Sequence, residues 1–195
     1  HWTVEDWSRV IFSDETKINR MGSDGRVWGW KRPGSQLEDR NVVGTVKFGG
    51  GSVMLWGCMT ISGPGHMAQV DGRMDAKQYT DILSQNLLQS AKATGFQGTD
   101  FTFQQDNDPK HTSRLAKKWF SDHSVEVLRW PAQSPDLNPI EHLWGHLKRR
   151  LNGYSTDPKS IGELWGRIQQ EWIEIPPDYC YDLIASMPSR IQALS

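Results

Sequence analysis

The amino-acid sequence predicts an α/β domain built on a mixed β-sheet flanked by helices. Three observations carry this. β-Branched and aromatic residues are concentrated in the segment around Val10-Ile11-Phe12 and Ile18, as in a strand. Ser52 to Ile61 is almost continuously apolar, the composition of a strand covered on both faces. From Asp75 onward, segments with helical apolar spacing alternate with short strand-like ones.

In chain order, Ser8 to Ile18 reads as a strand with Asp14 near its middle. Gly22 to Gly25 supply a turn, after which Val27-Trp28-Gly29-Trp30 is expected to return as the hairpin partner. Residues 31–51 then become irregular, with Pro33, Gly34 and Gly49-Gly50-Gly51. A loop of that length is ordinarily a functional insertion. The strand from Ser52 is followed by another around His66 to Val70. Asp75 reads as an N-cap, and Tyr79, Ile82, Leu83, Leu87 and Leu88 repeat at helical spacing up to Ala93. Phe101 to Gln105 alternates like a strand and runs into Asp106-Asn107-Asp108-Pro109, which places Asp106 at a strand end. A short helix over 112–122, a strand at Val125 to Leu128 and a proline-rich loop from Pro131 to Pro139 follow. The next helix carries Leu137, Ile140, Leu143, Trp144, Leu147 and Leu151 on one stripe. At 100° per residue Glu141 falls about 90° from the stripe's centre, at its border. An amphipathic helix from Ile161 to Ile173 and an apolar tail close the chain.

The 195 residues suit a single sizeable domain. A net charge of -1 excludes a uniformly basic polyanion binder, so contact with nucleic acid requires local patches or metal ions. Cys58 and Cys180 form no metal-binding spacing and no disulfide framework, which points to a reducing, intracellular setting. No apolar run nears the roughly 20 residues that span a bilayer, and no signal peptide opens the chain, so a soluble protein without membrane contact is expected. The ten tryptophans, spread from Trp2 to Trp172, read as anchors of several elements, with base stacking as the alternative. Beginning at His1 without a methionine, the chain reads as a piece of a longer protein.

Acids on a strand, at the end of a later strand and on a flanking helix are placed to converge at one sheet edge. Asp14, Asp106 and Glu141 are those acids. Mg²⁺ prefers oxygen ligands and is commonly held by a few carboxylates together with substrate phosphates. Two such ions about 3.5–4 Å apart stabilise both the attacking and the leaving oxygen of a phosphodiester displacement. Each acid also has a plainer reading. Asp14 can accept hydrogen bonds at a strand edge with Glu15 as its solvated neighbour, although an acid following Val10-Ile11-Phe12 is costly unless paired or ligated. Asp106 can close an Asx turn before Pro109. In Asn138-Pro139-Ile140-Glu141, the glutamate can complete a capping box.

Four blocks of sequence resemble the motifs of the mariner superfamily of transposases, and in the same order. They are Ser13-Asp14-Glu15-Thr16, Gly49 to Gly57, Gln105-Asp106-Asn107-Asp108-Pro109-Lys110-His111-Thr112, and Ser134-Pro135-Asp136-Leu137-Asn138-Pro139-Ile140-Glu141-His142-Leu143-Trp144. The 34 positions between Asp106 and Glu141 match the glutamate-ending branch of that superfamily. The resemblance spans about residues 5 to 190. It implies an RNase H-like fold and a DDE triad of Asp14, Asp106 and Glu141 holding two Mg²⁺ ions, with Mn²⁺ able to substitute. It implies cut-and-paste transposition in the nucleus: hydrolytic nicking at transposon ends, then attack of the freed 3′-hydroxyl on a TA target, a step that unstacks easily. Residues 31–51 match the family's clamp loop, which contacts the partner subunit of a homodimer in the DNA complex. The family's N-terminal helix-turn-helix region is absent from this chain and would precede His1.

Asn107 and His111 lie beside Asp106 and either contact the scissile phosphate or a metal-bound water, or stabilise the turn. Lys110, Arg114, Lys117, Lys118, Lys148, Arg149 and Arg150 are candidates for phosphate contacts, with solubility as the alternative reading. Two further function classes compete with an active transposase. One is an RNase H-like nuclease without strand transfer, the other a domesticated derivative that binds DNA without cleaving it.

Overall fold

A computed structural model of the chain describes residues 2–21 and 50–193. The expected hairpin strand at Val27 to Trp30 and nearly all of the 31–51 insertion lie outside the described residues.

A short helix α1 (Val4–Ser8) leads into strand β1 (Val10–Asn19). Its start is closed by a capping box, in which the Thr3 hydroxyl accepts from the Asp6 amide and the Asp6 carboxylate accepts from that of Thr3. Strands β2 (Ser52–Thr60), β3 (Gly63–Val70), β4 (Thr102–Gln104) and β5 (Glu126–Val127) complete one sheet in the order β3-β2-β1-β4-β5. β1 pairs antiparallel with β2 over most of its length, from Phe12 opposite Met59 to Asn19 opposite Ser52. It pairs parallel with β4, which in turn pairs parallel with β5. The sheet is therefore mixed, as the sequence predicts, and the arrangement is RNase H-like.

Side chains alternate across a strand, so β1 divides between two cores. Val10, Phe12 and Ile18 face the helices α5 (Ile140–Asn152), α6 (Ile161–Ile173), α7 (Pro177–Ala185) and α8 (Met187–Gln192). Ile11 faces the helical segment α2 (Ala76–Ile82) to α3 (Leu88–Ala93) and the helix α4 (Arg114–Asp122). What reads in sequence as an apolar tail folds as two further helices that close the first core.

The helix expected over Asp75 to Ala93 contains a π-helical turn at Leu83–Leu87. There the Ser84 hydroxyl donates back to the Thr80 carbonyl at 2.8 Å and the Asn86 side chain donates from Nδ2 to the Ile82 carbonyl at 2.9 Å. Such back-bonding competes with the regular ladder. Trp119 of α4 then donates from Nε1 to Ser84 Oγ at 2.7 Å. Of the eight described tryptophans, Trp7, Trp56, Trp119, Trp144 and Trp172 are buried in the two cores, in line with the anchoring reading.

Two features position the site. Gly57 lies opposite Asp14, and a Cβ there would come within 2.6 Å of Trp144 Cη2. Only glycine lets α5 lie this close to the sheet, with Trp144 stacked on Trp172 at 5.1 Å between ring centroids. The parallel register ends with Phe12 opposite Gln104, and Asp14 and Asp106 each follow two residues after that last pair.

Candidate active site

Asp14 follows Val10 and Phe12 on the face that α5 covers, and is half-buried. Its Oδ1 accepts from the Glu15 amide at 2.8 Å. Burial, then a hydrogen bond shared with Glu141 and the negative charge of that residue, raise its pKa to about 8. Glu141 reaches it because the start of α5 is tied to β1. The buried Asn138 donates from Nδ2 to the Ser13 carbonyl at 3.1 Å, and its Oδ1 accepts from the Ile140 amide at 3.3 Å. Asn138 thus acts at the helix start. No side-chain capping bond is made at the Pro139 position, and the Glu141 carboxyl meets Asp14.

Asp106 lies two residues beyond β4, and its side chain is 53% exposed. The Asx turn expected there is present, with Oδ1 accepting from the Asp108 amide at 3.0 Å. The same oxygen lies 2.5 Å from Nδ1 of His111, while Oδ2 takes no hydrogen bond among the described residues. The hydrogen bond from His111 holds the Asp106 carboxyl below its ordinary pKa. His111 is buried, with Nε2 at 2.9 Å from Glu15 Oε1. Burial alone would lower its pKa, but the hydrogen bonds to Asp106 and Glu15 outweigh it and raise the value to about 9. His111 is therefore committed at both ring nitrogens.

All three acids line one cavity of about 450 Å³, together with Gln104, Asn107 and Asn138. Gln104 is fully buried and accepts from the Ser13 amide at 3.1 Å, while its Nε2 has no partner among the described residues. Asp14 and Glu141 meet directly, whereas Asp106 is drawn toward His111. Among the described residues no three acidic, histidine or cysteine side chains close into a finished ion cage. The donor set nevertheless fits a hard divalent cation. It offers carboxylate oxygens only, and it crowds two acids together at a cost in repulsion that a cation would remove. A larger cavity of about 900 Å³ under Trp2, Trp7, Trp130 and Pro188 is apolar and has no carboxylate in its lining. The three predicted acids all line the smaller one.

A sequence profile of the DDE superfamily endonucleases matches residues 9–165. The chain is 41% identical over 194 residues to the Tcb2 transposase of Caenorhabditis briggsae, covering all of this chain and 70% of that protein. It is 42% identical over 193 residues to the Tc1 transposase of Caenorhabditis elegans, covering 99% of this chain and 69% of that one. The chain belongs to the Tc1/mariner family of DDE transposases. Its fold matches the Mos1 transposase paired-end complex with the left transposon end at a TM-score of 0.77 and 21% identity, over 95% of this chain and 54% of that one. It also matches the Mos1 transposase catalytic domain with Raltegravir and Mg at 0.70 and 19%, over 95% and 81%. The chain thus spans about half the length of the Mos1 protein in the paired-end complex.

Within this Tc1/mariner chain the predicted cations divide into two groups. Lys110 is held by Asp108 at 2.9 Å and lies 3.9 Å from Glu15, Lys118 pairs with Asp122 at 2.6 Å, and Arg150 pairs with Glu171 at 2.7 Å and Glu174 at 3.3 Å. Arg114, Lys117, Lys148 and Arg149 are in no ion pair among the described residues. Asn107 donates from Nδ2 to the Trp130 carbonyl at 3.0 Å, which ties the Asp106 turn to the proline-rich loop. Sequence reasoning missed Glu15, expected to be solvated, as well as Gln104. The period-2 alternation of β1 does put Glu15 on the face opposite Asp14, but its partner His111 is 96 residues away.

Proposed function

We propose that this chain is the catalytic domain of a transposase that cuts DNA at transposon ends and joins the freed 3′-hydroxyl to a TA target. The observation that carries the reading is the convergence of Asp14 from β1, Asp106 from beyond β4 and Glu141 from the first turn of α5 on one cavity. Asp14, Asp106 and Glu141 would hold two Mg²⁺ ions, or Mn²⁺ in their place. A bound metal pair supplies charge stabilisation at the attacking and leaving oxygens of an in-line displacement. The chain's own part is to fix those carboxylates and to admit the phosphodiester into a cleft roofed by the loop from Trp130 to Pro135. Arg114, Lys117, Lys148 and Arg149, free of ion pairs among the described residues, are the better candidates for phosphate contacts among the predicted cations. The 31–51 insertion would serve as a clamp between two copies on DNA, and the protein would act in the nucleus on DNA alone. No helix of the described residues is long and apolar enough to cross a membrane.

The test is incubation of the full-length protein with labelled transposon-end duplex and a TA-containing target, in Mg²⁺, Mn²⁺ or EDTA. Metal-dependent cleavage with joining is the expected result. Cleavage without joining would make it a nuclease, and metal-independent binding alone would make it a derivative that has lost catalysis.

A further inference from the structure

We propose that Glu15 and His111 are positioning residues for Asp106, a two-link relay that holds one carboxylate oxygen and leaves the other for metal. The inference rests on the reading of Asp106 as a metal ligand. Asp106 lies past the end of β4, where ladder hydrogen bonds no longer restrain the chain, and its side chain is half-exposed. A productive ligand must be held to within about 0.5 Å. What holds it is Oδ1, which accepts at once from the Asp108 amide and from His111 Nδ1 at 3.0 and 2.5 Å.

His111 is rigid enough for this task. Its side chain is only 4% exposed, and its ring lies 4.2 Å from that of Tyr79 at 40°. Its carbonyl accepts from Gln105 Nε2 at 3.1 Å, while Gln105 Oε1 accepts from the Tyr79 hydroxyl at 2.5 Å. Glu15 Oε1 anchors the far nitrogen at 2.9 Å, and Lys110 stands 3.9 Å from the other oxygen of Glu15. Two adjacent residues of β1 therefore serve one centre from opposite faces of the sheet, Asp14 directly and Glu15 through His111. Hydrogen-bond partners of metal-binding side chains typically change metal affinity or activity 10- to 100-fold when removed.

Asparagine places an amide where Nδ1 stood, and glutamine where Nε2 stood, so the two substitutions separate the links. In the full-length protein without DNA, Mn²⁺ affinity is measured by titration calorimetry and melting temperature is followed in EDTA. His111→Gln and His111→Ala are expected to weaken Mn²⁺ binding by about 10- to 100-fold, whereas His111→Asn stays near the parent value. Glu15→Ala should weaken it to a smaller degree. Equal losses in the asparagine and glutamine variants, tracking their melting temperatures, would overturn the relay and leave His111 a packing residue. Asp106→Ala separates the two claims. If that variant binds Mn²⁺ as the parent does, the ligand assignment itself fails, and if it loses binding while His111→Ala keeps it, only the relay fails.

Discussion

Glu141 distinguishes a metal-site carboxylate from a helix cap through the sign of a stability change. Replacing it by glutamine keeps its size and its ability to accept hydrogen bonds but removes the charge beside Asp14. The raised pKa of Asp14 means that the folded protein retains a proton that the unfolded chain releases, so between about pH 4 and pH 8 the metal-free fold loses stability as pH rises. Each unit of such a displacement corresponds to about 1.4 kcal/mol. Burial is its larger cause, and solvent screens the exposed Glu141, so we assign that residue about 1–2 kcal/mol of repulsion. Against this stands the loss of a negative charge in the first turn of α5, about 0.3–1 kcal/mol. Repulsion wins, and Glu141→Gln should stabilise the metal-free protein by about 1 kcal/mol at pH 8. The gain should vanish below pH 4, where Asp14 is protonated in both states. Urea denaturation in EDTA across this range measures the effect, and DNA cleavage in Mg²⁺ should be abolished. Adding Mn²⁺ should raise the melting temperature of the parent more than that of the variant, because only a ligand bound to the native state adds stability. A variant destabilised equally at all pH values that still cleaves DNA would refute the reasoning and return Glu141 to a capping role.

Asp14→Ala and Asp106→Ala should each abolish cleavage and joining while leaving the circular dichroism spectrum unchanged. Gly57→Ala should cost about 1–3 kcal/mol in chemical denaturation by overpacking against Trp144, and unchanged stability would show that α5 has room to shift. Removing Arg114 and Lys117 should each reduce the slope of log affinity against log salt by about 0.9. Arg150→Ala should lower the melting temperature without changing that slope, because its guanidinium is held by Glu171 and Glu174. Replacing residues 31–51 by a short hairpin should preserve the melting temperature and abolish paired-end synapsis.

Most of the described elements and the order of the acids are legible in the sequence, because both are local properties, although α1 and the two helices of the apolar tail are not read from it. Alternation around Val10 to Ile18, helical spacing in α5 and the Asx-rich break after β4 each arise from residues within a turn or two of one another. The convergence of the three acids was legible only in outline, from their placement on a strand, a strand end and a helix border. Tertiary structure alone decided how the site is held. β1 pairs with β2 across the whole 20–51 interval. Asn138 fastens α5 to Ser13 across 125 positions, and His111 turns inward to Glu15 across 96. A side chain's type and spacing show which bonds it is able to make, but the partner it finds depends on the cost of leaving a buried polar group unpaired, and burial exists only once the sheet and its helices have closed.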